Sequence, residues 1–398
     1  MTDVKDDGGT VGATALIHHG YTPPGGFAAV QPAVHKASTV IFANTQALHA
    51  RQWKDKAGYT YGLHGTPTTF TLEERIATLE GGLQTLLLPS GLAAIALVGT
   101  ALLRAGDEVL IPDNAYGPNK ELARGELSRW GITHRFYDAM DPSSLEAVLS
   151  PATKLVWLEA AGSVTMEFPD LSALIRLVRS HGALIALDNT WGAGIAFNAF
   201  EVEAGLGVDI SVHALTKYPS GGADVMMGSV TTRDGPLHLR LKATHMRMGW
   251  GVGANDAELL LRSLSTLSLR YHAQDAVGRQ LAGWWSARSE AVQVLHPALA
   301  GSPGHAAWQR LCSASAGLFS VVFDERYSAA QVHAFVDALR LFKIGYSWAG
   351  PVSLVVPYQL SAMRSQPAWA GTLIRFSIGL ESVADLIADC EQALAALG

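Results

Sequence analysis

The chain is expected to be an α/β protein: a mainly parallel sheet in a large domain, with a smaller α+β domain at its C-terminal end. Three observations lead there. Continuous apolar runs alternate with helical patterns from about residue 70 to about residue 230, the mark of a parallel sheet covered on both faces. The length, 398 residues, exceeds one ordinary small domain. Near residue 310 the texture changes again, with strand-like and helical runs intermixed.

Residues 1–60 are rich in Gly, Pro, His and Thr and show little periodicity. An irregular arm of that length rarely lies free on a compact monomer, so it is expected to pack on a partner subunit. TFTLEERIATLEGG (69–82) is a helix closed by glycine. LQTLLLP (83–89) is a strand, and Ser90 caps the apolar helix LAAIALVGTALL (92–103), which ends by Gly106. EVLIP (108–112) is the next strand, followed by the helical NKELARGELSRWG (119–131) and by THRFYDA (133–139). KLVWLEA (154–160) is a strand. Asp170 caps a helix in which Leu171, Leu174, Ile175 and Val178 recur at helical spacing, and Gly182 stops it. ALIALD (183–188), DISVHAL (209–215) and VMMGSVTT (225–232) are further strands. Residues 254–285 read as a long helical region. Beyond it LFSVVFD (318–324) and LIRFSIGL (373–380) read as strands, and 329–342 and 382–397 as helices. The expected division is an arm over 1–60, a cofactor-binding large domain over 61–255, and a linking helix with a small domain over 256–398.

Composition excludes several functions. Lys and Arg number 29 and Asp and Glu 35, a net charge of −6, so nothing attracts the chain to nucleic acid. The two cysteines, Cys312 and Cys390, have no metal spacing and no disulfide framework, and fit a reducing cytoplasm. The acidic N-terminus is not a secretory signal, and the longest apolar stretch is too short for a bilayer, so no membrane association is expected.

In an open parallel sheet, ligands bind beyond the C-terminal ends of the strands. At those ends stand Ser90-Gly91-Leu92, Tyr116, Asp188 and Thr216-Lys217. Ser90-Gly91-Leu92 opens a helix, whose free N–H groups and dipole make a phosphate seat, and glycine lets the backbone come close. Asp188 ends an uncharged strand, where a carboxylate needs water or a cationic partner such as a protonated pyridine nitrogen; the rival readings are a helix cap or a metal ligand. Lys217 sits between an apolar strand and a glycine-rich turn; desolvation there lowers an amine's pKa and makes it reactive toward carbonyls. Tyr116 is placed to lie against an aromatic ring, or else to be a surface turn residue. Arg375, inside an apolar strand, calls for a carboxylate, either a substrate's or an internal one. GWGVG (249–253) superficially matches a nucleotide loop but follows no strand, and the adjacent His18 and His19 make a poor metal pair, so no metal is expected.

Taken together, YTYGLHGTPTT (59–69), LPSGLAAI (88–95), DNAYGP (113–118), LEAAGSVTMEFPD (158–170), ALDNTWGAG (186–194), HALTKYPSGGAD (213–224), YSWAG (346–350) and LIRFSIGLE (373–381) resemble the cysteine and methionine metabolism family of pyridoxal-phosphate enzymes. Within it the chain is most similar to the bacterial cystathionine β-lyases. The resemblance implies the type I, aminotransferase-like fold with a seven-stranded main sheet. It implies pyridoxal 5′-phosphate as cofactor, a small amino-acid substrate, and a cytoplasmic homotetramer built as a dimer of dimers, with each site shared across the close dimer. The reaction implied is β-elimination from L-cystathionine in the transsulfuration steps of methionine biosynthesis.

The same resemblance assigns residues. Lys217 corresponds to the Schiff-base lysine, Asp188 to the partner of the pyridine nitrogen and Tyr116 to the ring-stacking tyrosine. Gly91, Leu92 and Thr216 correspond to phosphate contacts, and Tyr61 to the tyrosine lent by the neighbouring subunit. Ser347, Trp348 and Arg375 correspond to the substrate segment, Arg375 taking the α-carboxylate. Two positions depart from the family pattern. Leu63 stands where an arginine usually reaches the phosphate across the dimer, with His64 next to it, and Ala214 stands where a serine is common. Rival readings are γ-elimination or replacement chemistry, a broader cysteine-S-conjugate β-lyase or cysteine desulfhydrase, and an inactive binding protein on the same fold.

Overall fold

The computed structural model describes residues 25–364 and 368–398. The terminal part of the expected arm, with His18 and His19, lies outside the described residues. Residues 25–33 carry no helix or strand.

From Val34 onward the chain forms one compact unit carrying two sheets. A short helix α1 (Thr45–His49) and a single 3-10 turn (Gly62–His64) are the regular elements before α2 (Pro67–Glu80). Thr66 and Thr69 cap α2 reciprocally, and Gly81 ends it in the left-handed region at φ 75°. There follow β1 (Gln84–Leu88), α3 (Gly91–Leu102), β2 (Glu108–Pro112), α4 (Gly117–Leu122), β3 (Thr133–Tyr137), α5 (Pro142–Val148), β4 (Thr153–Glu159), α6 (Leu171–His181), β5 (Leu184–Asp188), β6 (Ile210–His213) and β7 (Gly228–Thr232).

The seven strands lie in the order β1-β7-β6-β5-β4-β2-β3. Those from β6 to β3 are mutually parallel, while β7 runs antiparallel to both β6 and β1. Burial explains the apolar strands: β2 is buried throughout and β4 at all but Lys154, because helices cover both faces. Ser90 Oγ accepts from the Ala93 N–H at 3.0 Å and starts α3, and Asp170 does the same for α6. The helix expected over 119–131 is instead α4 followed by a π-type turn at Ala123–Leu127.

The next helices are α7 (Gly235–Met248), α8 (Ala254–Leu264) and α9 (Leu267–Ser286). GWGVG connects α7 to α8, and no strand precedes it. The second sheet, β10-β11-β12-β9-β8, joins β8 (Ala291–Leu295), β9 (Leu318–Phe323), β10 (Lys343–Ile344), β11 (Leu354–Gln359) and β12 (Thr372–Ser377). It shares a core with α9, α11 (Ala329–Ala338) and α13 (Val383–Ala393), while α10 (His305–Leu311) precedes β9 and α12 (Leu360–Met363) follows β11 along the chain. Trp285 of α9, Phe323, Phe335 and Phe376 form its aromatic core. Cys312 and Cys390 are free, and burial pushes both thiols well up. Among the described residues no helix is long and apolar enough to cross a membrane.

Candidate active site

Three adjacent parallel strands end on chemistry. Glu159 closes β4 and Asp188 closes β5, opposite each other in register, while β6 leads through Ala214 to Lys217. The termini form the floor of a cavity of about 740 Å³. Nine of the ten candidate residues line it: Gly91, Leu92, Tyr116, Asp188, Thr216, Lys217, Ser347, Trp348 and Arg375. Tyr61 does not. It is 48% exposed, next to the Gly62–His64 turn, with its ring 6.1 Å from that of His64.

Lys217 Nζ donates to Ser347 Oγ at 2.6 Å and lies 5.6 Å from the Trp348 ring centroid. Burial and the neighbouring Arg375 lower its pKa to about 8, against an opposing pull from Asp188. An amine in that state is neutral in a useful fraction near physiological pH, which a surface lysine is not. Ser347 and Ala349 sit at φ 89° and 66°, left-handed values unusual outside glycine. That backbone presents the Ser347 hydroxyl to Lys217 and its carbonyl to Arg375 Nη2 at 3.3 Å.

Asp188 accepts from the Thr190 N–H at 3.0 Å. Burial raises its carboxyl above the usual range, and the Thr190 hydrogen bonds, His213 and Lys217 offset part of that. Its surroundings are braced from below. Glu80, fully buried, accepts from His213 Nδ1 at 2.7 Å, Asn189 Nδ2 at 2.9 Å and Ser211 Oγ at 2.7 Å. Burial pushes Glu80 up, but those bonds outweigh it and hold the carboxyl below its ordinary value.

Sequence reasoning overlooked Glu159. Its Oε2 accepts from the Tyr116 N–H at 2.7 Å, and burial and Asp188 raise its pKa well above the carboxylate range. The signal was present, since Glu159 ends an apolar strand as Asp188 does. Tyr116 itself is pushed up by burial, then by Asp188 and Glu159, so it remains a phenol with a proton to give.

Arg375 is buried on β12, in register with Ser320 and Val356. Its Nε has no hydrogen-bond partner among the described residues. A buried guanidinium edge without an acceptor is suited to a carboxylate.

These residues fit pyridoxal phosphate. The raised Asp188 is a buried carboxylate that a protonated ring nitrogen would suit. Gly91 opens α3 where a Cβ would stand 2.6 Å from that of Ala214, so this helix start is compatible with no larger residue, and its N-terminus suits an anion. Thr216 differs from expectation in one respect: its hydroxyl is already engaged with the Met227 carbonyl and N–H, at 3.2 and 3.0 Å. Leu63 and His64 lie elsewhere, in a second hollow with Glu73, Lys242 and His245. His64 Nδ1 is held by Thr60 Oγ1 at 2.7 Å.

Comparison with known proteins follows the same line. The model of the Cys/Met metabolism PLP-dependent enzyme family matches residues 13–395. The cystathionine β-lyase of Bordetella avium is 41% identical over 392 residues, covering 96% of each chain. That of Escherichia coli K12 is 35% identical over 403 residues, covering 99% of each. Among solved structures, the cystathionine γ-synthase of Xanthomonas oryzae pv. oryzae in complex with cystathionine superposes with a TM-score of 0.84. It is 30% identical and covers 93% of this chain and 94% of its own.

Proposed function

We propose, from the premise that this chain belongs to the Cys/Met metabolism family of PLP-dependent enzymes, that it is a carbon–sulfur β-lyase acting on L-cystathionine. The products are L-homocysteine, pyruvate and ammonia, one water being consumed. The observation that carries the reading is a single cavity in which Lys217, Asp188 and the unpaired edge of Arg375 converge. The β-lyase relatives support β- over γ-chemistry.

When bound, the cofactor supplies an electron-accepting ring that acidifies the substrate's α-proton. Asp188 would keep that ring's nitrogen protonated, and the helix start at Gly91 and Leu92 would seat its phosphate, with Thr216, its hydroxyl engaged with Met227, lining the seat. Arg375 would bind the α-carboxylate through its unpaired guanidinium edge and so turn the Cα–H bond toward Lys217. The Lys217 amine takes the α-proton, with Ser347 holding it in place through the 2.6 Å contact. Tyr116, still a phenol, or Lys217 returns a proton to the departing sulfur. Glu159 keeps the Tyr116 backbone where that is geometrically open.

The assembly belongs to the same proposal. We infer a cytoplasmic homotetramer whose close dimer brings Tyr61 of one subunit to the cavity of the other; its exposure and its place outside its own cavity support this. The large and small domains divide near residue 255.

The keto product tests the reaction. L-Cystathionine should yield pyruvate; 2-oxobutyrate would overturn β-elimination in favour of γ-elimination. The pH profile tests the base. A neutral amine is required, and in the cofactor-free cavity burial and Arg375 lower Lys217 to about 8, so kcat should rise with pH as that amine gives up its proton and be lost toward acid. A flat profile through that range would remove Lys217 from the proton-transfer step.

A further inference from the structure

Three methionines line the cavity, and two of them, Met166 and Met363, come from distant parts of the chain. Each is followed directly by one member of a buried ion pair. Arg364 Nη1 and Nη2 reach Glu167 Oε1 and Oε2 at 2.7 and 2.6 Å, a bidentate contact with side chains 9% and 6% exposed. Glu167 also accepts from Asn114 Nδ2 at 3.0 Å and Thr165 Oγ1 at 2.8 Å. Asn114 stands two residues before Tyr116, and its carbonyl takes the Ser163 N–H at 2.8 Å. Lys120 Nζ adds a bond to the Met363 carbonyl at 3.3 Å.

The segment so held is strained. Val164 and Met166 have φ of 71° and 55°, and a β-branched residue in that region is a true outlier. Such a backbone persists when its surroundings over-determine it. Here Ser320 Oγ holds the Val164 carbonyl at 2.5 Å, and Glu167 anchors the other end. Methionine is flexible and fills whatever shape its backbone offers, so a methionine wall is defined by what fixes its main chain.

We propose that the Glu167–Arg364 pair sets which sulfur substituent the cavity accepts, by fixing Met166 and Met363 as the wall against which that substituent lies. It is a specificity-determining pair rather than a catalytic one, because neither side chain joins Lys217, Asp188 or Arg375 in any contact. This rests on the β-lyase reading for its choice of substrates.

The test compares L-cystathionine, with a long substituent, with S-methyl-L-cysteine, whose methyl group cannot span to the wall. The variants are R364A, E167Q, the neutral pair E167Q/R364Q, which leaves no stranded buried charge, and M363A, which alters the wall and spares the pair. Each should raise KM for cystathionine about tenfold and leave kcat and KM for S-methyl-L-cysteine within about twofold. In the pair variants hydrogen exchange should rise over residues 358–364 and 162–168 and stay unchanged elsewhere. Equal losses on both substrates, or exchange raised throughout the chain, would make the pair a general structural bridge and overturn the proposal. Unchanged cystathionine KM in all four variants would do the same. If wild-type enzyme cleaves neither substrate, the β-lyase reading fails, and local exchange still decides whether the pair fixes the wall.

Discussion

Replacing Lys217 with alanine is expected to lower kcat for cystathionine cleavage by about 10⁴-fold, the upper end of what a positioned general base contributes. Arginine at the same position should fare no better, since it keeps a charge but gives up a base with a pKa of about 8. The loss should come without a loss of fold. Lys217 is held in the cavity at a pKa below the ordinary lysine value, so its charged form disfavours the folded state. In the cofactor-free protein that cost is fully present below pH 8 and fades as pH rises from 8 to the ordinary lysine value, where the unfolded chain still holds the proton. At neutral pH the cofactor-free Lys217→Ala protein should therefore melt no lower than wild type, and calorimetry of the two apo proteins checks it. An activity loss accompanied by a lower melting temperature would assign Lys217 a structural duty that the geometry does not support.

Arg375→Ala is the second large effect. The guanidinium is buried, its Nε is unpartnered, and Nη2 makes one 3.3 Å contact with the Ser347 carbonyl. Removing it leaves Lys217, which the reaction needs neutral, as the one basic residue among the described residues lining the cavity. kcat/KM should fall by at least about 10²-fold, the scale of a misplaced reacting group, with KM carrying much of the change. Arg375→Lys should recover little, because an ammonium cannot make the bidentate contact. Steady-state kinetics on both variants decides the point. Near wild-type kcat/KM in the lysine variant would mean that charge alone, and not the fork geometry, positions the substrate.

Much of this arrangement was legible in the amino-acid sequence, for a physical reason. Strands buried on both faces are uniformly apolar, so a charge at the end of one, as at Asp188 or after β6 at Lys217, marks a crevice. The motifs carry enough identity across their order for the cofactor to be named from them. Glu159 obeyed the same rule and was passed over, because a glutamate followed by Ala160 and Ala161 reads as an ordinary strand exit. The second sheet was half visible. β9 and β12 are buried throughout, but β8 is buried only at Val294 and Leu295, β10 is two residues long, and Pro357 interrupts the pattern of β11. The Glu167–Arg364 pair, 197 residues apart along the chain, left no local trace at all. Nor did the Glu80 cluster that braces β5 and β6, whose members come from a helix end, from β6 and from the residue just after β5. Local periodicity reports which way a side chain faces; it does not report what faces it.

The central claim is that Lys217 is the amine that carries the cofactor and works at the substrate's α-carbon. Borohydride reduction of the holoenzyme, proteolysis and peptide mass spectrometry test it most directly. The account predicts one pyridoxyl label per chain, on the peptide containing Lys217. A label on Lys120, a buried lysine whose ammonium instead binds the Asp113 carbonyl at 2.7 Å and the carbonyl of the cavity residue Met363 at 3.3 Å, would contradict it.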